Sequence, residues 1–106
     1  MTVFERVWRF RAAADREREF QKLYGPSGAW AQLFASAPGY LGTELQRSAD
    51  NPREFLIIDR WESRAAWEGF RRDHAAAYEN LDRLCEPLTT LEELVGEFDP
   101  PVRPQQ

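Results

Sequence analysis

From Val3 to Arg11 the side chains alternate, with Phe4, Arg6, Trp8 and Phe10 on one side and Val3, Glu5, Val7, Arg9 and Arg11 on the other. This is the period of a strand with one covered face. Ala12 to Ala14 lead to Asp15, a predicted N-cap for a short helix carrying Phe20, Leu23 and Tyr24 until Gly25-Pro26 ends it. Ser27 can cap again, and Trp30, Leu33, Phe34 and Ala37 fall at i, i+3, i+4 and i+7 before Pro38-Gly39. A second strand is predicted from Tyr40 to Ser48, with Leu41, Thr43, Leu45 and Arg47 opposite Tyr40, Gly42, Glu44 and Gln46, followed by a turn over Ala49 to Arg53. The third, Glu54 to Glu62, contains Phe55-Leu56-Ile57-Ile58, which is apolar enough to predict cover on both faces. Ser63 is the expected N-cap of the longest helix, whose stripe of Trp67, Phe70, His74, Tyr78, Leu81 and Cys85 runs until Pro87. A last strand runs from about Leu88 to Phe98; on it Glu93 and Glu97 should share a face and Glu92 should lie on the other.

The order strand, helix pair, strand, strand, helix, strand predicts an α+β fold of the ferredoxin-like β-α-β-β-α-β kind, with a four-stranded antiparallel sheet. Its helices cover one face and leave the other bare. A bare face with a strand this apolar predicts a homodimer packed about a two-fold axis. One domain over residues 1–99 and a loose Pro-rich tail at 100–106 complete the expected organisation.

Composition adds a reason for the partner. A chain of 106 residues holds four Trp, seven Phe and three Tyr, more aromatic surface than one small core hides, so a second subunit or a ligand cavity is expected. Net charge is −4 with the basic residues scattered, which disfavours nucleic acid as a partner. Residues 23–43 carry no charge, but Gly25-Pro26, Pro38-Gly39 and two further glycines punctuate them, so no membrane span is expected. Charges at 5, 6, 9 and 11 interrupt any signal-like apolar run, and a cytoplasmic location is expected. One cysteine (Cys85) and one histidine (His74) leave no intrachain disulfide and no zinc cluster, and the Gly25-Pro-Ser-Gly28 spacing does not make a dinucleotide loop.

Four strings carry a resemblance: Tyr24-Gly-Pro-Ser-Gly-Ala-Trp-Ala-Gln-Leu-Phe34, Pro38-Gly-Tyr-Leu-Gly-Thr-Glu-Leu45, Asp59-Arg-Trp-Glu-Ser63 and Cys85-Glu-Pro-Leu-Thr89. In this order they resemble stand-alone members of the antibiotic-biosynthesis-monooxygenase superfamily over nearly the whole chain except the tail. The resemblance implies a dimeric α+β barrel with a pocket between sheet and helices, in a group that includes quinone-forming monooxygenases without cofactors and haem-degrading enzymes. Haem degradation would imply an Asn near Arg6, a Trp near Phe70 and a His beyond His74, so that branch is disfavoured. The quinone-forming branch implies a pocket Trp with polar groups around a phenol, but the strand Asn of that branch is missing here.

The expectation is therefore a monooxygenase-like protein without a cofactor, acting on an aromatic or polyketide-like molecule, or else a non-catalytic binding or structural dimer. Candidate catalytic groups are His74, Arg6 and Tyr78. His74 lies on the apolar stripe, where it is either a buried imidazole bonded to a neighbour or a general base. Arg6, among Phe4, Trp8 and Phe10, needs an anion, either Asp59 inside the chain or an acidic substrate. Trp8, Trp61, Trp67, Phe70 and Asp59 are the candidate binding residues, Trp61 foremost among the tryptophans. Cys85 is read as a buried inert thiol, and no metal site is expected.

Overall fold

Residues 3–99 are described by the computed structural model; the tail at 100–106 lies outside them. The chain runs β1 (Phe4–Ala12), α1 (Glu17–Tyr24), α2 (Ala29–Phe34), β2 (Tyr40–Arg47), β3 (Glu54–Trp61), α3 (Arg64–Asp73), α4 (Ala75–Cys85), a 3₁₀ turn (Glu86–Leu88) and β4 (Thr89–Phe98). All strand pairs are antiparallel in the order β2-β3-β1-β4, the ferredoxin-like arrangement that the pattern predicts.

On the covered face Phe4, Phe10, Phe55, Ile57 and Trp61 pack with Phe20, Trp30, Phe34, Trp67 and Phe70 from the helices. Ser63 caps α3 as expected, its Oγ accepting from Ala66 N at 3.0 Å. Asp15 does not cap α1: it sits at φ 65, a left-handed conformation that Asp tolerates, and Arg16 takes the N-cap position without a side-chain bond. The predicted long helix is two helices, because His74 leaves helical geometry at φ −122, ψ 28. Its amide still donates to Phe70 O and its carbonyl still accepts from Tyr78 N, so the break re-aims α4 without orphaning either group.

Two bulges overturn the expected faces of β2 and β4. On β2 the register passes from Tyr40 opposite Trp61 to Gly42 opposite Arg60, leaving Leu41 unpaired; Gly42 takes φ 142, which costs glycine no Cβ clash. Tyr40 therefore shares the inner face with Thr43. On β4, Gly96 opposes Val7 and Leu94 opposes Trp8, so Val95 is the extra residue. Glu97 consequently faces Arg6 on the same side as Glu92, and Glu93 pairs with Arg9 on the other. The period-two rule holds only while a ladder is unbroken.

Among the described residues no helix covers the other face of the sheet. Leu56 and Ile58 are half-buried there, beside Val7, instead of covered on both sides. Around them Arg60 bonds Glu5 and Glu44 at 2.7 and 3.2 Å, and Glu54 bonds Arg11 and Arg9 at 2.7 and 3.1 Å. Among the described residues no helix is long and apolar enough to cross a membrane.

Candidate functional site

Between the covered face of the sheet and the helices lies a cleft with apolar walls of Trp8, Phe10, Tyr24, Trp30, Phe34 and Ile57. Arg6, Thr43, Asp59, Tyr78, Asp82 and Glu92 supply its polar groups. The cavity itself is about 30 Å³, within about 440 Å³ of empty space that includes the open mouth. Water fits as it stands; a flat multi-ring guest requires the aromatic rim to part.

Among the described residues Asp59 is the one buried charged side chain, 6% exposed. Its Oδ1 accepts from Thr43 Oγ1 at 2.7 Å, and that hydroxyl lies 2.5 Å from Tyr40 Oη, so the Tyr40 hydroxyl donates to Thr43 when Thr43 donates to Asp59. The β2 bulge makes this chain possible. Burial pushes the Asp59 carboxyl up to about 6, against the Thr43 bond and the positive charge of Arg6. Burial also raises Tyr40 and Tyr78, the latter against Arg6 and Arg71.

Arg6 stands directly across the ladder from Asp59, yet its ion pair is with Glu97, Nε to Oε2 at 2.9 Å. This corrects the expected Asp59 partner. Glu97 also takes Arg64 at 3.0 Å, and against the burial that raises it the bonds from Arg6 and Arg64 together hold its carboxyl below the usual carboxylate range. The Arg6 guanidinium lies 3.9 Å over the Trp67 ring and 5.4 Å from that of Trp8, a cation held on aromatic faces at the cleft wall.

The structure brings together at the cleft Arg6, Tyr78, Trp8 and Asp59. It places the other four candidates behind it. Trp61 is fully buried between Phe34, Tyr40, Trp67 and Phe70, because the inner face of β3 lies directly beneath the helices. Trp67 and Phe70 stack in the same cluster, and His74 stacks on Phe70 at the helix break. Cys85 is buried with its thiol pushed up, the state of an unreactive sulfur. No cluster of three or more metal-ligating side chains occurs among the described residues. Sequence reasoning passed over Thr43, Tyr40 and Glu97; Gly42 inside a strand pattern was the available signal for the first two.

The family model described as antibiotic biosynthesis monooxygenase matches residues 4–79. The chain belongs to that family. Among solved structures it is similar to SnoaB, a cofactor-independent oxygenase from Streptomyces nogalater, at 21% identity over 99% of this chain and 97% of that one, with a TM-score of 0.63. It is also similar to Rv0793 from Mycobacterium tuberculosis (21%, 99% and 98%, 0.65) and PA3566 from Pseudomonas aeruginosa (17%, 93% and 92%, 0.66). At these identities the likeness is one of fold. No curated protein matches the chain.

Proposed function

We propose that this protein is a monooxygenase that works without a cofactor on an aromatic or polyketide-like phenol bound in the cleft between sheet and helices. The observation that supports it is the pairing, inside one apolar cleft, of a cation on aromatic faces with a buried carboxylate across the same ladder. Such a site favours the phenolate that an anthrone-type substrate must form before it gives electrons to O2. In that reaction a ring methylene becomes a carbonyl, one oxygen atom entering the product and the other leaving as water. Arg6 is the group for the developing oxyanion, Tyr78 offers a hydroxyl to a ring oxygen, and Trp8 supplies a flat wall. Trp67 backs Arg6, while Trp61, Phe70 and His74 hold the junction of α3 and α4 in place.

The bare face is assigned to a second copy of the chain, which would cover Val7, Leu56 and Ile58 and complete the dimeric barrel. The narrow void favours one rival reading, a binding module whose small apolar ligand is never turned over.

Oxygen uptake with anthrone and related polyphenols, after a thermal-shift screen for those that bind, separates the two. Uptake without added cofactor is the expected result. Stabilisation by a phenol without uptake favours the binding module, and silence across the panel removes both.

A further inference from the structure

We propose that Asp59 is the base of the cleft, taking the proton from a phenolic hydroxyl laid against Arg6, with Thr43 and Tyr40 as the residues that position it. The assignment rests on the monooxygenase reading and adds to it the group that generates the reactive anion.

Three features of the geometry converge on this carboxylate. It lines the cleft and is buried, on the central strand of a rigid sheet. One oxygen, Oδ1, is tied to Thr43, which restrains the carboxyl at the cleft wall. Thr43 is fixed in turn by Tyr40, so a run of two hydroxyls on one strand holds one acid on the next. A base fixed in this way loses little orientational freedom when it meets its substrate. Nothing in core packing calls for a carboxylate here, since burying one is costly and its strand neighbours on the same face are Ile57 and Trp61.

The surroundings set its proton affinity. Facing the same cleft are Arg6 on β1, Tyr24 on α1, Tyr78 and Asp82 on α4 and Glu92 on β4, with Tyr40 reached through Thr43. Only Arg6 is cationic, and it lowers Asp59 less than burial raises it, which leaves the carboxyl near 6. A base ionised at neutral pH yet closer to a phenol in proton affinity than an ordinary carboxylate suits general-base work. In the step, the phenol O–H bond breaks, an O–H bond forms on Asp59, and the electron pair stays on the phenolate beside Arg6.

The test combines a titration without ligand and a rate measurement. In the wild-type protein, side-chain carboxyl NMR should find Asp59 titrating near 6, and Thr43→Val should move that midpoint upward, since it removes a donor to the charged form. A midpoint in the ordinary carboxylate range overturns the assignment whatever the substrate. With a phenol that supports oxygen uptake, kcat/KM should fall below about pH 6. Asp59→Asn should lower it by about 10²–10⁴-fold and abolish that limb, and Thr43→Val should shift the limb upward with the NMR midpoint. Uptake by Asp59→Asn at the wild-type rate with an unchanged profile overturns the base while leaving the monooxygenase reading intact. A phenol that binds wild type without uptake removes that reading, and the base goes with it.

Discussion

Arg6 and Asp59 face each other across the β1–β3 ladder, but the guanidinium of Arg6 is held by Glu97 from the opposite neighbour, β4. A single unpaired residue, Val95, turns Glu97 inward to make that bond. Asp59 is thereby left ionisable and facing a cleft instead of being neutralised by a close ion pair.

Asp59→Asn should make the protein more stable at pH 7. The folded-state carboxyl stands at about 6 against an ordinary 3.8, so the folded form holds its proton more tightly than the unfolded chain does. Its favourable contribution is complete below about pH 4 and is lost as pH rises through 6. The difference is of order 3 kcal/mol. Urea unfolding at pH 4 and pH 7 should show the variant gaining at the higher pH only; equal effects at both would contradict the burial of a titrating group.

Glu97→Gln removes the negative partner of a guanidinium that is 11% exposed. Loss of one member of a fully buried pair costs about 3–5 kcal/mol, and solvent at the half-exposed Glu97 and Arg64 should reduce this to about 1–2 kcal/mol. Chemical denaturation gives the number. A cost near zero would show that Arg6 is held by Trp67 alone.

Gly39→Ala should destabilise for two reasons that add. Gly39 lies at φ 92, and a Cβ there would stand 2.6 Å from that of Ala66 on α3. Strain of about 1–3 kcal/mol is expected from the backbone conformation before the contact is counted. A thermal melt should fall by several degrees, while Gly42→Ala, which meets nothing within 4 Å, should show the backbone part only.

Ile58→Asp tests the second copy on the bare face. Ile58 pairs with Val7 at the centre of that face, away from the core. Light scattering should find wild type at twice the chain mass and the variant at one chain mass with its fold retained by circular dichroism. A wild-type monomer at high micromolar concentration would remove the dimer.

The strands and helices were legible in the sequence because each buries one face, and burial writes its period into the chain. Ser63 as a cap, the order of elements and the bare face of the sheet all followed from local chemistry of that kind. Trp8, Arg6, Tyr78 and Asp59 were legible as residues of an inner surface by the same rule. What the pattern could not carry was any departure from its own period. Leu41 and Val95 are each a single extra residue, and alternation read past them put Tyr40 and Glu97 on the wrong faces. The break at His74 was hidden similarly, since a stripe stepping by three or four residues continues through one non-helical position. Sequence by itself therefore determined the fold and which residues face inward. Only the tertiary structure decided which carboxylate meets Arg6 and which hydroxyls hold Asp59, because those pairings depend on register between strands far apart in the chain.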